Sequence, residues 1–359
     1  MKWALSRSTV PAAPLPLLRP LLVGTLVGLV VVGIGTGAVS LSPGQVLAVL
    51  AEPLGIVLPW QFDAQQQAVV LAIRLPRVLL AGLVGAVLAT AGAAMQGLFR
   101  NPLADPGLVG VSGGAALASV AAIVLGARLP GEIGDWLGSP VALPVAAFVG
   151  GLATVVLVWR LARRDGQTEV ATLLLAGIAV NALTGALIGL LTFAATDAQL
   201  RSITFWSLGS LSGATWPVLA GVAPFLIGSL VLLPTLARPL NTLLLGEAEA
   251  GHLGVDVETT KRAVIVLVAL AVGAAVSATG IIGFVALVVP HLLRLAAGPD
   301  HRRLLPDAAL LGAGLLLGAD LIARTLAAPA ELPIGTITAA LGTPFFLWLL
   351  RGQMGGSSR

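Results

Sequence analysis

Few residues of this 359-residue chain have the type and spacing that chemistry requires. Gly110–Gly114 matches the G-x-S-x-G pattern that presents a nucleophilic serine, but that turn needs a strand before it, and Ser112 lies where an apolar segment begins. The three histidines, His252, His291 and His301, lack metal-ligand spacing, and the chain has no Cys. The sequence therefore predicts neither a hydrolase nor a metal site.

The chain also lacks an energy-coupling site of its own. A phosphate-binding loop of the G-x-x-x-x-G-K-[ST] type needs a lysine directly after a glycine. The only lysines, Lys2 and Lys261, follow Met1 and Thr260. Three possibilities remain at this point: an ATPase on a separate chain, an ion gradient, or a passive pore. We therefore expect a protein that is not itself an enzyme.

Polar residues within apolar segments are the remaining candidates. Asp320 is the one acid predicted to lie inside the membrane, where an ion-coupled transporter would need it. Arg324 follows four residues later, on the same face of a helix, so we expect a structural ion pair. Gln96 and Asn181 are expected to hydrogen-bond across helices.

The elements that hold these residues are predicted to be membrane helices. The chain is 57% hydrophobic and 10% charged, with a mean hydropathy of +1.00, which leaves too little polar surface for a water-soluble protein. Its apolar runs are continuous and of about the length that crosses a bilayer, whereas barrel strands would alternate. We predict an all-α polytopic membrane protein with about ten transmembrane helices. The predicted segments are Leu21–Val39, Val78–Leu98, Leu108–Gly126, Val141–Trp159, Leu173–Ala195, Val218–Leu236, Ala263–Thr279, Gly283–Leu295, Leu305–Ile322 and Gly335–Leu350.

The basic residues predict the orientation of these segments. With both termini in the cytoplasm, 15 of the 20 lysines and arginines lie on the cytoplasmic side, as the positive-inside rule requires. Residues 1–20 then form a cytoplasmic segment, and the apolar run that follows is too long for a signal peptide. The eighth segment begins after Gly280 and Gly283 and is too short to span, so we expect a half-helix or part of a broken helix.

Two long stretches carry a family resemblance. RLPRVLLAGLVGAVLATAGAAMQGLFRNPLADPGLVGVSGGA, from Arg74 to Ala115, resembles the iron-chelate and cobalamin permeases of ATP-binding-cassette importers. The C-terminal third, with GIIGFVALVVPHLLRLAAGPDHRRLLP from Gly280 to Pro306, resembles the same family in order and spacing. The resemblance implies that residues 1–359 form a single permease domain of the bacterial inner membrane.

The partners follow from the same resemblance. It implies a homodimer surrounded by membrane lipid, bound on the cytoplasmic side to two ATPase subunits. Cargo would arrive on a periplasmic binding protein. The chain itself would hold no cofactor, since ATP and Mg would be bound by the ATPase, and no nucleic acid is expected.

The resemblance also assigns roles to individual residues. Arg74, Arg77 and Arg324 occupy the family positions that meet acidic residues of the binding protein, and guanidinium groups suit such carboxylates. The polar segment 240–262 resembles the family's coupling helices, which fit a groove on each ATPase. The predicted ATPase contacts are Glu247, Glu249, Gly251, His252 and Gly254.

A cytoplasmic gate is predicted from two further places. Asn101 and Leu103 match positions that line the inner constriction in the resembling permeases. Val170 and Ala171 lie at the corresponding entrance of the fifth segment, where the family often has hydroxyl groups. Because both are apolar here, the sequence predicts closure by hydrophobic contact and dewetting.

The cargo is predicted to be haem, carried by a haem-binding protein. Leu191–Trp216 and Leu243–Gly254 look most similar to haem permeases. The chain has no Cys, no Tyr and no His away from the inner face, so the route is not built to coordinate haem iron. Iron-siderophore and cobalamin import remain the alternatives, and an ion-coupled secondary transporter is a remote one.

Overall fold

The computed structural model describes residues 17–354, apart from 38, 127, 128, 138 and 140. Most of the predicted segment 1–20 lies outside the described residues. The first half of the described chain contains helices α1 Leu18–Gly35, α2 Pro43–Ala51, α3 Ala64–Ala68, α4 Leu75–Leu98, α5 Val111–Gly126, α6 Glu132–Leu137, α7 Ala142–Leu161 and α8 Val170–Phe193. The second half contains α9 Asp197–Ser207, α10 Trp216–Leu232, α11 Ala237–Leu243, α12 Glu247–His252, α13 Val257–Thr279, α14 Val285–Ala297, α15 His301–Thr325 and α16 Ile334–Met354.

Four short helices of other types and one hairpin complete the described secondary structure. A π-helix, Val69–Arg74, leads directly into α4. The 3₁₀-helices are Glu52–Leu54, Pro106–Val109 and Leu233–Leu236. Strands β1 Arg163–Arg164 and β2 Gln167–Thr168 pair antiparallel between α7 and α8.

The long helices agree with the predicted membrane segments. Within the described residues, seven stretches are long and apolar enough to cross a bilayer. They are Leu18–Gly35, Ala64–Leu98, Ala142–Leu161, Val170–Phe193, Trp216–Leu243, Val257–Thr279 and His301–Thr325. The third, eighth and tenth predicted segments coincide with the shorter apolar helices α5, α14 and the described part of α16. The chain is therefore a multi-pass membrane protein, and the count of about ten crossings stays a prediction.

Polar side chains determine where several helices begin. The side chains of Ser42, Asp63 and Thr196 each accept a hydrogen bond from the backbone N–H of the residue three positions later. That residue is a glutamine whose side chain accepts from the backbone N–H of the capping residue, and the two bonds form a capping box. Asp256 and Asp300 cap α13 and α15 in the simpler way, through the carboxylate alone. These caps satisfy the backbone donors that a helix leaves free at its start.

Helix α4 is the centre of the core and packs against α10, α13, α14 and α15. It approaches α15 so closely that a Cβ atom at either Gly85 or Gly312 would overlap the backbone of the other helix. A Cβ atom at Gly92 would likewise overlap the carbonyl group of Ala286 in α14. Small residues thus bring these backbones together, as is usual where helices pack within a membrane. A second group of helices forms where α5 packs against α7 and α8.

A short non-helical segment separates α13 from α14. The helix ends at Thr279, Gly280 adopts a φ of 69°, and Phe284 also has a φ of 69° just before α14 begins. Helix α14 has 13 residues, too few to span a bilayer. The expected short helix after a glycine-containing break is therefore confirmed.

Side-chain contacts define two ends of the bundle. The arginine end holds Arg74, Arg77 and Arg324 together with the last turn of α1. The α12 end holds α11, α12, the last turns of α4 and α14 and the first turns of α13 and α15. Each end contains a polar network that joins several helices.

Candidate functional site

At the arginine end, two arginines cap the C-terminus of α1. Arg74 Nη1 donates to the carbonyl oxygens of Ile34 and Gly35 at 2.7 and 2.9 Å, and Arg74 Nη2 donates to Val39 O. Arg324 donates to two more carbonyls of the same turn through Nη1 and Nη2. Because the last carbonyls of a helix have no intrahelical donor and carry partial negative charge, cations stabilise them.

The third arginine forms a buried network with two acids. Arg77 Nε and Nη2 both donate to Asp320 Oδ1, at 3.0 and 2.8 Å, and Arg77 Nη1 donates to Glu331 Oε1 at 2.8 Å. Arg324 Nε lies 3.6 Å from Asp320 Oδ2, so the ion pair expected between these residues forms. The side chain of Asp320 is 2% exposed, whereas that of Glu331 is 40% exposed. Glu331 is thus the accessible edge of the network.

The docking role predicted for the three arginines requires guanidinium groups that a partner protein can reach, and these contacts leave little of them accessible. Arg74 is 5% exposed, Arg77 is 9% exposed and the Arg324 side chain is 7% exposed. Their guanidinium groups are directed into the protein because unsatisfied helix carbonyls and a buried carboxylate lie there. A docking role for these arginines stays a prediction, and Glu331 is the most exposed side chain of their network.

The π-helix and the start of α4 position Arg74 and Arg77. It places Arg74 in its last turn and Arg77 in the first turn of α4. Trp216 fixes the same segment from α10, because its indole Nε1 donates to Leu71 O at 2.8 Å. Short π-helical turns in proteins often occur at functional positions. No sequence pattern indicated this π-helix, since its apolar residues also fit an ordinary α-helix.

At the opposite end, the predicted coupling segment is mostly helical. Segment 240–262 spans the end of α11, all of α12 and the first six residues of α13. Its role as the family's coupling helices stays a prediction, and the cap at Asp256 starts α13 well before the apolar run. Glu249, His252 and their glycine neighbours Gly251 and Gly254 lie in or directly after α12.

The predicted ATPase contacts differ in their exposure and in whether other residues of the chain bind them. A Cβ atom at Gly251 or Gly254 would meet nothing within 4 Å, and His252 is exposed. Glu247 is instead held by Lys261, whose Nζ lies 2.6 Å from its carboxylate and also donates to Thr168 O. Ala248, Glu249, Gly251 and His252 are exposed, whereas Ala250 is buried, so α12 presents one face to a partner.

Lys261 belongs to a cluster that joins α12, α13 and the hairpin. Its side chain is 5% exposed, and both of its acceptors come from other elements. Glu258 accepts from the backbone N–H and the hydroxyl of Thr168 at 2.8 and 2.7 Å. A buried ammonium group needs such partners, so this cluster fixes the position of α12 relative to α13.

The two halves of the predicted gate lie on different elements. Asn101 Oδ1 accepts from the backbone N–H of Leu103 at 3.0 Å, which forms a tight turn after α4. Leu103 is 38% exposed and borders a small recess with His291 of α14. Val170 packs on the core from the first turn of α8, and Ala171 is exposed. The gating role of these four residues stays a prediction.

Two polar contacts at the α12 end connect helices that are distant in sequence. Gln96 in α4 accepts from Arg294 Nη1 in α14 and donates to Ala286 O at 3.3 Å, which confirms its expected bond across helices. Asn241 in α11 binds His301 at the start of α15. The sequence did not indicate this second pair, because its members are 60 residues apart without a shared motif.

The structure around the histidines and Ser112 bears on the two chemistries that the sequence disfavours. They contain no group of three or more potential metal ligands. Ser112 lies in the first turn of α5, after a 3₁₀-helix rather than a strand, so the turn that a nucleophilic serine needs is missing there. Asn181 Nδ2 donates to Gly107 O at 3.0 Å, the bond across elements expected for it.

Comparison with known proteins identifies the family. A model of the FecCD transport family matches residues 25–352. The chain belongs to the FecCD transport family. This assignment confirms the resemblance to iron-chelate and cobalamin permeases.

Two curated FecCD relatives have assigned cargo. The chain is 51% identical to the hemin transport system permease protein HmuU of Yersinia pestis, over 79% of this chain and 83% of that protein. It is 46% identical to the cobalamin import system permease protein BtuC of Halobacterium salinarum, over 82% of this chain and 77% of that protein. Relatives with different cargo thus match this FecCD protein at similar levels.

A solved structure supports the FecCD fold. It belongs to an ABC transporter of metal-chelate type in an inward-facing conformation. The TM-score is 0.80 and the sequence identity 34%, over 94% of this chain and 99% of that one. The helical arrangement described above is therefore that of a FecCD permease along nearly its whole length.

Proposed function

We propose that this FecCD protein is the permease subunit of an ATP-binding-cassette importer that moves haem from the periplasm to the cytoplasm. The observation that carries the proposal is the 51% identity to the hemin transport permease of Yersinia pestis. Two copies of the chain would form the pathway in the inner membrane, with both termini in the cytoplasm. Two ATPase subunits, which bind ATP and Mg, would attach at the α12 end, and a periplasmic haem-binding protein at the arginine end.

The side chains available along the chain suit a cargo that passes without being held. Haem iron takes His, Met, Cys or Tyr ligands, and the chain has no Cys and no Tyr. His301 is 1% exposed and bonded to Asn241, and both ring nitrogens of His291 are buried. His252 is on α12, where the ATPase would bind. Passage between apolar surfaces favours release of the cargo once the gate opens.

The network at the arginine end argues for ATP as the energy source. An ion-coupled transporter would need an intramembrane acid that exchanges its proton. Asp320 is the candidate, but it is buried and receives two hydrogen bonds from Arg77. The pair is buried, and removing one partner of a buried ion pair is costly. Asp320 therefore acts as a fixed structural anion.

Cobalamin is the second candidate cargo, because the cobalamin permease of Halobacterium salinarum is 46% identical over 82% of this chain. The difference between the two identities is small, so cargo needs a direct test. The α12 end and the arginine end would serve either cargo in the same way.

Transport by the reconstituted complex tests the proposal. The chain would be purified with its ATPase and placed in proteoliposomes, with ATP inside and a haem-loaded or cobalamin-loaded binding protein outside. Haem uptake that requires both ATP and the binding protein supports the proposal. If only the cobalamin-loaded binding protein stimulates ATP hydrolysis and its cargo alone is taken up, cobalamin replaces haem as the cargo. Uptake by this chain without an ATPase would contradict the proposal that it belongs to an ATP-driven importer.

A further inference from the structure

Asn241 joins α11 to the first turn of α15 through both atoms of its amide. Its Oδ1 accepts the backbone N–H of His301 at 2.9 Å and lies 2.8 Å from His301 Nδ1. Its Nδ2 donates to Asp300 Oδ1 at 2.6 Å. Since an amide oxygen only accepts, His301 Nδ1 must carry the proton. The amide is therefore fixed in orientation by a donor on one side and an acceptor on the other.

His301 continues this contact into α4. The imidazole is 1% exposed, and its Nε2 has no hydrogen-bond partner among the described residues. A Cβ atom at Gly97 would lie 2.5 Å from that Nε2, so the ring packs directly against the last turn of α4. The loop of Asn101 and Leu103 begins a few residues later. One continuous set of contacts thus leads from α11 to the predicted gate loop.

On its other side, α11 is closely linked to α12. Only three residues separate the two helices, and Gly246 N donates back to Leu243 O at 3.1 Å. Leu240 and Leu243 are buried, at 0% and 2% exposed, and hold α11 against the core. Apolar contacts of this kind allow α11 to slide along its neighbours. The Asn241 amide, which both accepts and donates, instead fixes α11 relative to α15, because hydrogen bonds require a defined distance and angle. Displacement of α12 would therefore reach α15 through Asn241.

We propose that Asn241 is a positioning residue that transmits movement of α12 to α15 and to the Asn101–Leu103 loop. This inference rests on the proposed function, because it needs an ATPase that moves α12. Loss of the amide contact leaves the apolar packing of α11 in place. ATP hydrolysis and subunit assembly should then persist, while less cargo moves for each ATP consumed.

Asn241→Ala provides the first test, in the full complex in proteoliposomes. We expect the bound ATPase and the hydrolysis rate to remain within about twofold of wild type, and cargo moved per ATP to fall about five- to tenfold. The matched control is Thr242→Ala, since the hydroxyl of that neighbour bonds only Arg238 O within the same helix, at 3.0 Å. The control should keep the wild-type ratio.

An exchange of side chains separates positioning from general damage. Asn241→Asp loses the donor and places a second carboxylate beside Asp300, so it should uncouple the transporter as Asn241→Ala does. Adding Asp300→Asn removes the second charge and gives the new carboxylate an amide donor, but it gives up the cap on Arg302 N, because Asn241 Nδ2 and Arg302 N donate to the same oxygen, Asp300 Oδ1. The double variant should recover cargo per ATP to within about twofold of wild type.

Two results would overturn the inference. One is a wild-type ratio of cargo to ATP in both single variants. The other is a parallel loss of hydrolysis and transport that the double variant does not repair, which indicates a purely structural contact. Either result leaves the proposed function intact if the wild-type complex transports. Absence of ATP-dependent uptake in wild type would instead contradict the proposed function itself.

Discussion

Arg77 and Asp320 are 243 residues apart in sequence, yet Nε and Nη2 of the arginine both donate to one oxygen of the carboxylate. The contact ties the start of α4 to the end of α15, at the same interface where Gly85 meets Gly312. Both side chains are at most 10% exposed. In such a site the two charges depend on each other, because neither can be hydrated by itself.

Removal of the carboxylate from this pair should destabilise the protein strongly. Asp320→Ala leaves Arg77 and Arg324 without their shared anion, and breaking a buried ion pair costs about 3–5 kcal/mol. The free energy of unfolding in detergent, or the shift in Tm, measures the loss. Glu132→Gln removes an exposed charge from α6 and should have almost no effect.

A double replacement distinguishes pairing from packing at this site. If the charges matter mainly to each other, Arg77→Met combined with Asp320→Met should recover most of the stability lost in either single variant. Equal losses in the double variant and in Asp320→Ala would contradict this account.

Arg74 is expected to hold the end of α1 in place. Arg74→Met removes the donor from the carbonyls of Ile34 and Gly35, and we expect a loss of about 2–3 kcal/mol, since bonds from charged donors contribute most. Arg74→Lys should lose less, because an ammonium group reaches some of the same oxygens. Amide hydrogen exchange should accelerate around residues 33–41. Arg201→Met, at an exposed arginine of α9, is the control, and equal exchange in all variants would contradict the capping role.

The apolar elements of this fold were predictable from sequence, and the reason is physical. A lipid-facing helix must be apolar over its whole length, so hydropathy alone located all seven long helices. The break before α14 was also evident, because Gly280 supplies the positive φ that other residues avoid.

The polar networks were not predictable, because charge patterns do not reveal burial. The docking role assigned to Arg74, Arg77 and Arg324 did not reveal their burial, because apart from the expected Arg324–Asp320 pair their partners lie 35 to 291 residues away in sequence. The early start of α13 was also missed, because the polar residues of Val257–Arg262 precede the apolar run that marks the membrane segment. Whether a charged residue is buried, and where a polar helix begins, depends on contacts with residues that are distant in sequence.

Glu331 should weaken the docking of an acidic partner at the arginine end. It occupies Arg77 Nη1 at 2.8 Å and is partly exposed, so it competes with any partner carboxylate for that donor. Under the proposed function, Glu331→Gln should tighten binding of the periplasmic protein by about three- to tenfold, mainly through the association rate, and the gain should shrink at high salt. Surface plasmon resonance on the assembled transporter measures both rates.

The control for this prediction carries the same change in charge. Glu52→Gln alters a carboxylate that is bound by Gln67 rather than by an arginine. It should change affinity far less than Glu331→Gln does. Unchanged or weaker binding in Glu331→Gln would contradict competition for Arg77.

Asp105, in the turn after α4, predicts a dependence of stability on pH. Burial raises the pKa of this carboxyl above its ordinary value, and the hydrogen bond from Gly107 N offsets only part of that effect. The ionised form is therefore disfavoured in the folded state, so Asp105 reduces stability progressively as pH rises above the unfolded pKa of about 3.9. Asp105→Asn keeps an acceptor for Gly107 and removes the charge. Its Tm should equal that of wild type at low pH and exceed it near neutrality.

Asp256 supplies a control of opposite sign. Hydrogen bonds from the Thr259 side chain and backbone lower the pKa of this exposed cap, so its ionised form stabilises the fold. That stability is present above the unfolded pKa and is lost as pH falls through the folded pKa. The Tm of Asp256→Asn should therefore fall below that of wild type as pH rises from acid to neutral. Over the same range, the Tm of Asp105→Asn should rise above that of wild type. Two Tm differences that change in the same direction with pH would contradict the burial of Asp105 as the cause.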